Sequence, residues 1–292
     1  MPIVKILMSD IIKFFLATII LLLGFLWKGE KVGEIQEILF FQDYLSQESI
    51  EEQIEEQKIH PSAPDIQDTC SSQDQLCKKI KTLETQEMIP YKNQVHIATY
   101  FINDNQIIEK KIVNTIKEIE IKNNEEGKRG SATRDTIELN VGLTNGLKEF
   151  QNLSTHELGH IFDLGVIQGK QSTKSKVFTE GKRVVFATDD PSFFFYKLSR
   201  TSESIRKKDV SKKDFCSGYG MTDPFEDFSE CFNLYINNQN FFKFIAKKNK
   251  ILAKKYNFIA TLLQGQYKEK NTEAILLLKG NTARRPRDTT KL

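Results

Sequence analysis

The sequence predicts an α+β domain in which a small mixed sheet comes first and a mainly helical half follows, preceded by an N-terminal apolar helix. Three observations predict it: an uncharged apolar run near the start, short strand-like segments before residue 140, and helical periodicity beyond that point. The chain has 292 residues, of which 39% are hydrophobic and 28% charged, which is enough for one sizeable core. A formal net charge of only +3 gives no case for a nucleic-acid partner.

Residues 1–30 contain the apolar run, FFLATIILLLGFLW, from Phe14 to Trp27. Fourteen helical residues span about 21 Å, short of a hydrocarbon core of about 30 Å, but Ile11 and Ile12 extend the run if Lys13 reaches the interface. No small-residue cleavage site follows the run, and a buried core helix would show a polar face that is missing here. We therefore expect a signal anchor; a cleaved signal peptide, which would give a secreted protein, stays open.

The segments that flank the folded domain differ from it in charge. Residues 31–88 predict a solvated linker or stalk, because ten acidic residues and only two lysines fall between positions 31 and 70. Residues 266–292 are basic and poor in apolar side chains, which predicts a disordered tail. The folded domain is thus predicted over residues 89–265.

The four cysteines fall into two local pairs, Cys70 with Cys77 and Cys216 with Cys231. An even number of cysteines is compatible with disulfides in an exported chain, and free thiols stay open because connectivity cannot be read from spacing. Together with the N-terminal segment, the cysteines indicate an exported protein, anchored in the membrane with its folded domain on the extracytoplasmic side.

Local patterns give the order of the elements in the domain. VHIATYF at 95–101 alternates like a strand, and IIEKKIVNTIKEI at 107–119 repeats like an amphipathic helix. EIEIK at 118–122 and TIELN at 136–140 predict two further strands. Later, FFFY at 193–196 follows Asp-Asp-Pro and predicts a capped helix packed on the core.

The motif that carries chemistry is HELGH at residues 156–160. On a helix, His156 and His160 lie one turn apart on the same face with Glu157 beside them, so that both imidazoles can bind one metal ion. A plainer alternative is that Ser154 and Glu157 form a capping box while the histidines pack against the core.

A catalytic zinc site needs a third protein ligand and leaves a position for water. Glu226 and Glu230 lie one helical turn apart in a downstream segment whose first turn suits Pro224, so one of them can bind the metal while the other hydrogen-bonds a ligand histidine. Asp163, one turn beyond His160, is a rival third ligand. An ordinary amphipathic helix with exposed carboxylates is the alternative for the downstream segment.

The combination of HELGHIFD at 156–163 with YGMTDPFEDFSECF at 219–232 resembles the anthrax lethal-factor-like zinc metallopeptidases of the gluzincin type. In that family a Tyr-Gly-x-Thr stretch precedes an E-x-F-A-E helix. The resemblance covers roughly residues 90–262 and implies a zincin-like fold, with TIELN as the edge strand before the active-site helix. Ser229 stands where the family usually has Ala, and the long segment 165–217 prevents substrate preference from being carried over.

The resemblance also implies a role for each site residue. One catalytic Zn²⁺ would be held by His156, His160 and Glu226, with Glu230 behind them as a hydrogen-bond partner rather than a ligand. Tyr219 would stabilise the oxyanion. Glu157 would be the general base that takes a proton from the metal-activated water.

The predicted function is therefore zinc-dependent endopeptidase activity on a protein or peptide substrate, by an enzyme attached to the membrane through its N-terminal helix. Two alternatives stay open. One is a membrane-anchored zinc-binding module without catalysis, and the other is a zinc amidase that acts on cell-wall peptides.

Overall fold

The computed structural model describes residues 74–82, 86–101, 106–180, 184–263 and 285–292. The predicted N-terminal anchor and the predicted linker up to residue 73 lie outside these ranges. Residues 74–82 and 86–88 of the predicted linker, by contrast, form two short 3₁₀ turns and a strand that pairs into the sheet. The described residues all belong to one of the two compact units of the chain, Pro61–Leu292. Within them, no helix has both the length and the apolar character needed to cross a membrane.

The described part of the chain is a mixed α+β structure. Its helices are α1 Ile89–Phe101, α2 Gln106–Thr115, α3 Leu147–Ile161, α4 Ser192–Ser199, α5 Pro224–Asn237, α6 Gln239–Ala246 and α7 Lys250–Leu262. Its strands are β1 Ile80–Thr82, β2 Glu118–Lys122, β3 Gly130–Ala132, β4 Thr136–Asn140, β5 Lys174–Glu180 and β6 Val184–Ala187.

The larger sheet is mixed and has the strand order β1-β2-β4-β3. β2 pairs in parallel with both β1 and β4, whereas β3 pairs antiparallel to β4. β2 and β4 coincide with the predicted strands, and their alternating isoleucines are buried. TIELN, however, is β4 and lies inside the sheet, so the expectation that it forms the edge is wrong; the short β3 covers it and is itself the edge next to α3.

The predicted strand at 95–101 is also wrong, because this segment is the second half of α1. Val95, Ala98 and Thr99 are all buried, at the i, i+3, i+4 spacing of a helix face. A seven-residue segment that alternates over part of its length fits both periods, and Pro90 in the first turn is the signal that favoured a helix.

Helices α3 and α5 pack closely against each other and form the centre of the fold. A Cβ on Gly159 of α3 would lie 3.1 Å from the Cα of Ser229 in α5, so glycine at this position permits the short distance. Ser229 is itself fully buried at the contact. A small residue is thus required at position 229, and serine meets that requirement as alanine would.

An aromatic cluster packs the β5–β6 hairpin onto the helices. Phe178 and Phe186 of the hairpin contact Phe193 and Tyr196 of α4, and Phe186 stacks on Phe225 of α5 at a centroid distance of 5.7 Å. The predicted FFFY helix is confirmed as α4. Its aromatic rings serve the core, and the cluster links the hairpin to the start of α5.

A buried ion pair lies on the rear face of α5. The Nζ of Lys255 in α7 lies 2.6 Å from Oδ2 of Asp227, and both side chains are almost completely excluded from solvent. The same oxygen accepts a hydrogen bond from Ser199, and Lys255 also donates to the carbonyl of Asp214. Burial raises the pKa of Asp227 and lowers that of Lys255, while the attraction between the two charges opposes both shifts.

Disulfides are present in the described part of the chain. Cys216 and Cys231 are bonded, which joins the segment before Tyr219 to α5. Cys77 is disulfide-bonded as well. The alternative of free thiols is therefore wrong for the three cysteines at positions that the structure describes.

Residues 285–292 are packed against α3 and α5, where the sequence predicts disorder. Thr289 and Thr290 are buried, and Asp288 caps the short turn that they begin. The composition of this segment is that of a solvated tail, but its polar groups find partners on the domain. Such long-range pairing leaves no trace in local sequence.

Candidate metal centre

The structure brings together His156, His160 and Glu226 at the crossing of α3 and α5. Each offers one ligand atom, and these atoms all lie within 4.8 Å of one another. Oε2 of Glu226 lies 3.1 Å from Nε2 of His156 and 3.5 Å from Nε2 of His160. Three atoms from three side chains therefore converge on one point, as the HELGH motif and the downstream helix predict.

The N-terminal cap of α5 determines where Glu226 lies. Asp223 precedes the helix, and its Oδ1 accepts hydrogen bonds from the backbone N–H of Phe225 at 3.0 Å and of Glu226 at 2.8 Å. Pro224 occupies the first helical position, which favours helix initiation there. Asp223 and Pro224 thus place Glu226 in the first turn, beside the two histidines.

Glu230 lies behind His156, one turn further along α5. Its Oε1 is 3.0 Å from Nδ1 of His156, and its side chain has no exposed surface. A carboxylate at Nδ1 leaves Nε2 directed at the centre, which is the arrangement that orients histidine ligands in metal sites.

The electrostatics of the group favour a cation at its centre. Burial lowers the pKa of His156, but the carboxylates of Glu226 and Glu230 outweigh burial and raise that pKa well above its usual value. Glu226 likewise raises the pKa of His160 against the effect of burial. Burial would raise the pKa of Glu226, yet the two imidazoles hold it far below its ordinary range. Two buried carboxylates thus surround two imidazoles in a small volume.

Glu157 lies beside this group under the edge strand β3. It is 4% exposed, and burial raises the pKa of its carboxyl group. A Cβ on Gly130 would clash with the carboxylate of Glu157, so glycine in β3 leaves room for it. Glu157 lines the cleft, and its Oε2 is buried without a hydrogen-bond partner among the described residues.

Tyr219 covers the other side of the group. Its hydroxyl donates to Oε1 of Glu226 at 3.1 Å, and its ring centroid lies 6.1 Å from that of His156. The residue is 42% exposed, so the hydroxyl can be reached from the cleft. Burial and the nearby carboxylate of Glu226 hold the pKa of Tyr219 above its ordinary value, and the phenol therefore stays protonated and able to donate.

All six predicted site residues line one open cleft with a volume of about 530 Å³. Its other walls include the strand β3, the basic pair before it and the capping residue of α5. The lining residues outside the predicted set include Lys128, Arg129, Gly130, Ser131, Ala132, Leu153, Glu203, Asp223, Phe225, Asp288 and Thr290.

The outer edge of β3 faces this cleft, and no strand among the described residues pairs with it. The N–H of Asn140 donates to the carbonyl of Arg129, and the N–H of Thr133 donates to the carbonyl of Thr136. Because hydrogen-bonded pairs alternate along an antiparallel ladder, the N–H and C=O groups of Gly130 and Ala132 point away from β4. These groups can pair with an extended chain laid along the edge.

The rival assignments are not part of the group. Asp163 is completely buried and accepts a hydrogen bond from the hydroxyl of Tyr196, and burial raises the pKa of Asp163 to about 8. Ser154 lies inside α3 and donates to the carbonyl of Phe150, so it does not cap the helix. His96 pairs with Asp74 at 3.0 Å, away from the cleft.

A second set of close ligand atoms comprises Asp74, Cys77 and His96. The sulfur of Cys77 is in a disulfide, which removes it as a thiolate ligand. Asp74 and His96 remain as potential ligands in this set, and we assign no metal site to them.

Sequence reasoning missed three contributors to the cleft. The position of Asp223 directly before Pro224 is the sequence signal that could have identified it as an N-cap. Arg129 and Asp288 gave no comparable signal, since they meet across 159 residues of sequence.

Comparison with models of known protein families, with curated proteins and with solved structures finds no match to this chain. The interpretation of the site therefore rests on its own geometry and chemistry.

Proposed function

We propose that the chain is a zinc-dependent peptidase with a zincin-like domain. The observation that carries the proposal is the convergence of His156, His160 and Glu226 in an open cleft. Two imidazole nitrogens and one carboxylate oxygen form a donor set typical of zinc. Structural zinc sites are closed by four protein ligands, whereas three ligands facing open space leave the position that a catalytic site needs.

Buried polar atoms support the fit of a metal ion. The Nδ1 of His156 and the Oε1 of Glu230 lie 3.0 Å apart but are not aligned as a hydrogen bond, so the carboxylate is placed to orient the histidine when a metal ion is bound. The Oε2 of Glu157 has no hydrogen-bond partner among the described residues, which suits a carboxylate that receives a proton from water.

Each residue of the site has one role in the proposed mechanism. When bound, zinc would supply a water of lowered pKa, near 7, and a Lewis acid for the scissile carbonyl. Glu157 accepts the proton from the attacking water and later passes it to the leaving amine. Tyr219 donates its O–H to the oxyanion that develops on the carbonyl. Glu230 keeps the imidazole of His156 in its orientation throughout.

The edge strand supports a peptide as the substrate. An extended chain that pairs with the backbone of Gly130 and Ala132 would run along the side of the cleft that Glu157 lines, because Gly130 packs on that carboxylate. The amidase alternative shares the same zinc chemistry, but a short branched substrate would make little use of this edge. The non-catalytic alternative leaves the open ligand position and the unpartnered Glu157 unexplained.

The proposal includes export and membrane attachment. The disulfide between Cys216 and Cys231 supports an oxidising compartment, since such bonds persist outside the cytosol. The apolar run at 14–27 would then hold the domain at the membrane, outside the cytoplasm.

The test of the metal site compares two acidic residues close to the histidines. Glu226→Ala removes a proposed ligand, and we expect the purified protein to lose its zinc. Asp163→Asn alters the rival carboxylate with almost no change in shape, and we expect zinc to be retained. Metal content by atomic emission and cleavage of a random peptide library are measured on both variants and on the wild type.

The reverse pattern, with zinc lost from Asp163→Asn and kept by Glu226→Ala, would mean that Asp163 is the third ligand. Zinc in neither the wild type nor either variant would remove the proposal altogether. A wild type that binds one zinc but cleaves no peptide would instead support the non-catalytic module.

A second variant tests the role of the phenol. Tyr219→Phe keeps the ring that packs beside His156 but removes the hydroxyl that we assign to the oxyanion. We expect kcat to fall by a factor of about 10²–10³, as for other oxyanion donors, with the zinc content unchanged. Steady-state kinetics beside metal analysis would check this; zinc loss would show that the hydroxyl acts on Glu226 instead.

A further inference from the structure

Residues 286–290, which we call the C-terminal strap, contact several of the elements that build the cleft. Its neighbours are the segment of Tyr219, the helices α3 and α5, and the residue that precedes the edge strand β3. Asp288 and Thr290 also line the cleft itself. The strap therefore touches the site from several sides at once.

The first contact is with the backbone that carries Tyr219. The N–H of Gly218 donates to the carbonyl of Pro286 at 2.9 Å, and the N–H of Tyr219 donates to the carbonyl of Arg287 at 2.8 Å. A Cβ on Gly218 would lie 3.3 Å from the carbonyl oxygen of Arg287, so the two segments run very close together. The strap and the Cys216–Cys231 disulfide both fix the path of this segment.

The second contact is with Glu230, the carboxylate behind His156. The N–H of Thr289 donates to Oε2 of Glu230 at 2.8 Å, and the other oxygen, Oε1, is the one that faces His156. The Oγ1 of Thr289 also accepts a hydrogen bond from Asn233, one turn further along α5. Because Glu230 is fully buried, this N–H holds the carboxylate in one rotamer where water cannot.

The third contact is with Arg129, next to β3. Its guanidinium donates to Asp288, to Oγ1 of Thr290 at 2.9 Å and to Glu149 of α3 at 2.7 Å. The carbonyl of Thr290 also accepts from Asn152 of α3. The start of the edge strand is thereby tied to the strap and to the active-site helix.

We propose that the C-terminal strap is part of the catalytic apparatus. Thr289 positions Glu230, Asp288 positions the start of the edge strand through Arg129, and the carbonyls of Pro286 and Arg287 position the segment of Tyr219. This inference rests on the proposed function for its effect on the reaction. A purely structural role would be met by apolar packing. Here, instead, the backbone N–H of Thr289 and the carboxylate of Asp288 bind residues that contact the metal ligands or line the cleft.

Thr289→Pro is the sharpest test, because it removes the N–H that Glu230 accepts. Thr289 is the first residue of a short 3₁₀ turn, where the fixed φ of proline fits, and Asp288 before it is extended, as the residue before proline must be. Thr289→Val is the matched control, since it keeps the N–H and loses only the hydroxyl. Lys291→Ala, on an exposed side chain beyond the strap, controls for handling of the terminus.

We expect Thr289→Pro to weaken zinc binding about 10–100-fold in a competition titration with a chelator, as for other partners of ligand histidines, while Lys291→Ala binds as the wild type does. Thr289→Val, which keeps the N–H, should lose much less affinity than Thr289→Pro. Glu230→Gln should weaken binding similarly. The double variant with Thr289→Pro should be no weaker than the worse single variant, because both changes break one interaction. Wild-type zinc affinity in Thr289→Pro, or additive losses in the double variant, would overturn the proposal.

A readout without zinc separates this proposal from the proposed function. Deletion of residues 286–292 in the full chain should abolish the hydrogen-exchange protection of the Gly218 and Tyr219 amides, measured in the metal-free protein by mass spectrometry. Unchanged protection of these two amides would overturn the proposed role of the strap even if zinc and peptidase activity are found. Lost protection in a protein that neither binds zinc nor cleaves peptides would uphold its positioning role and remove the proposed function.

Discussion

Replacing Glu157 with Gln is expected to lower kcat by a factor of about 10²–10⁴ while the protein keeps its zinc. The carboxylate is the only proposed proton acceptor beside the ligand group, and an amide cannot take its place. Gln has nearly the same volume as Glu, so it fits beneath Gly130, where the carboxylate of Glu157 lies close to the backbone. Peptide cleavage under single-turnover conditions, with zinc content measured on the same sample, gives the two numbers needed.

Glu138→Gln is the matched control for this change. Glu138 is exposed on β4, where it pairs with Lys122, and we expect its replacement to leave kcat unaltered. Full activity in Glu157→Gln would exclude general-base catalysis by this residue. Equal losses in both variants would indicate a general effect of removing a carboxylate rather than a loss at the site.

Replacing Lys255 with Met is expected to lower the free energy of unfolding by about 3–5 kcal/mol. The change removes the cation from a completely buried ion pair and leaves the buried carboxylate of Asp227 with the hydrogen bond from Ser199 but without its lysine partner. A buried carboxylate without its partner must either stay charged at high cost or take up a proton. Urea denaturation of the wild type and the variant at pH 7 measures the loss.

Two further variants show whether the loss comes from the unpaired charge. Lys254→Met changes the neighbouring, exposed lysine of α7 and should alter stability by no more than about 0.5 kcal/mol. Asp227→Leu combined with Lys255→Met removes both charges and should recover much of the lost stability, because buried pairs often contribute little beyond an apolar pair. Wild-type stability in Lys255→Met would contradict the buried pair as described.

Part of the candidate metal group could be predicted from local sequence, whereas the choice of Glu226 over Glu230 or Asp163 came from the resemblance to a known family. HELGH specifies a helical face by itself, and Asp223, Pro224 and Glu226 specify the cap and first turn of a second helix within a few residues. Whether Glu226 lies beside the two histidines then depends on which helix packs against α3. The small residues at that contact, Gly159 and Ser229, are compatible with the close approach but do not specify it from sequence.

The edge of the sheet and the strap could not be predicted for a common reason. β3 consists of Gly-Ser-Ala, whose side chains carry no hydrophobic alternation, and it exists through its pairing with β4. The strap is polar and basic, and its order depends on partners such as Glu230 that are 59 residues away in the chain. The prediction for residues 95–101 was wrong for the opposite reason, because this short local pattern fits both the strand period and the helix period. The burial of Val95 together with Ala98 identifies it as a helix.

Titration of the metal-free full chain with Zn²⁺, with cleavage of a random peptide library followed at each addition, tests whether one zinc ion makes this domain a peptidase. We expect peptide cleavage to be absent without metal, to rise in proportion to the zinc added and to stop rising at one equivalent per chain. Cleavage that is already complete before zinc is added, or one bound equivalent that produces no cleavage, would contradict this expectation.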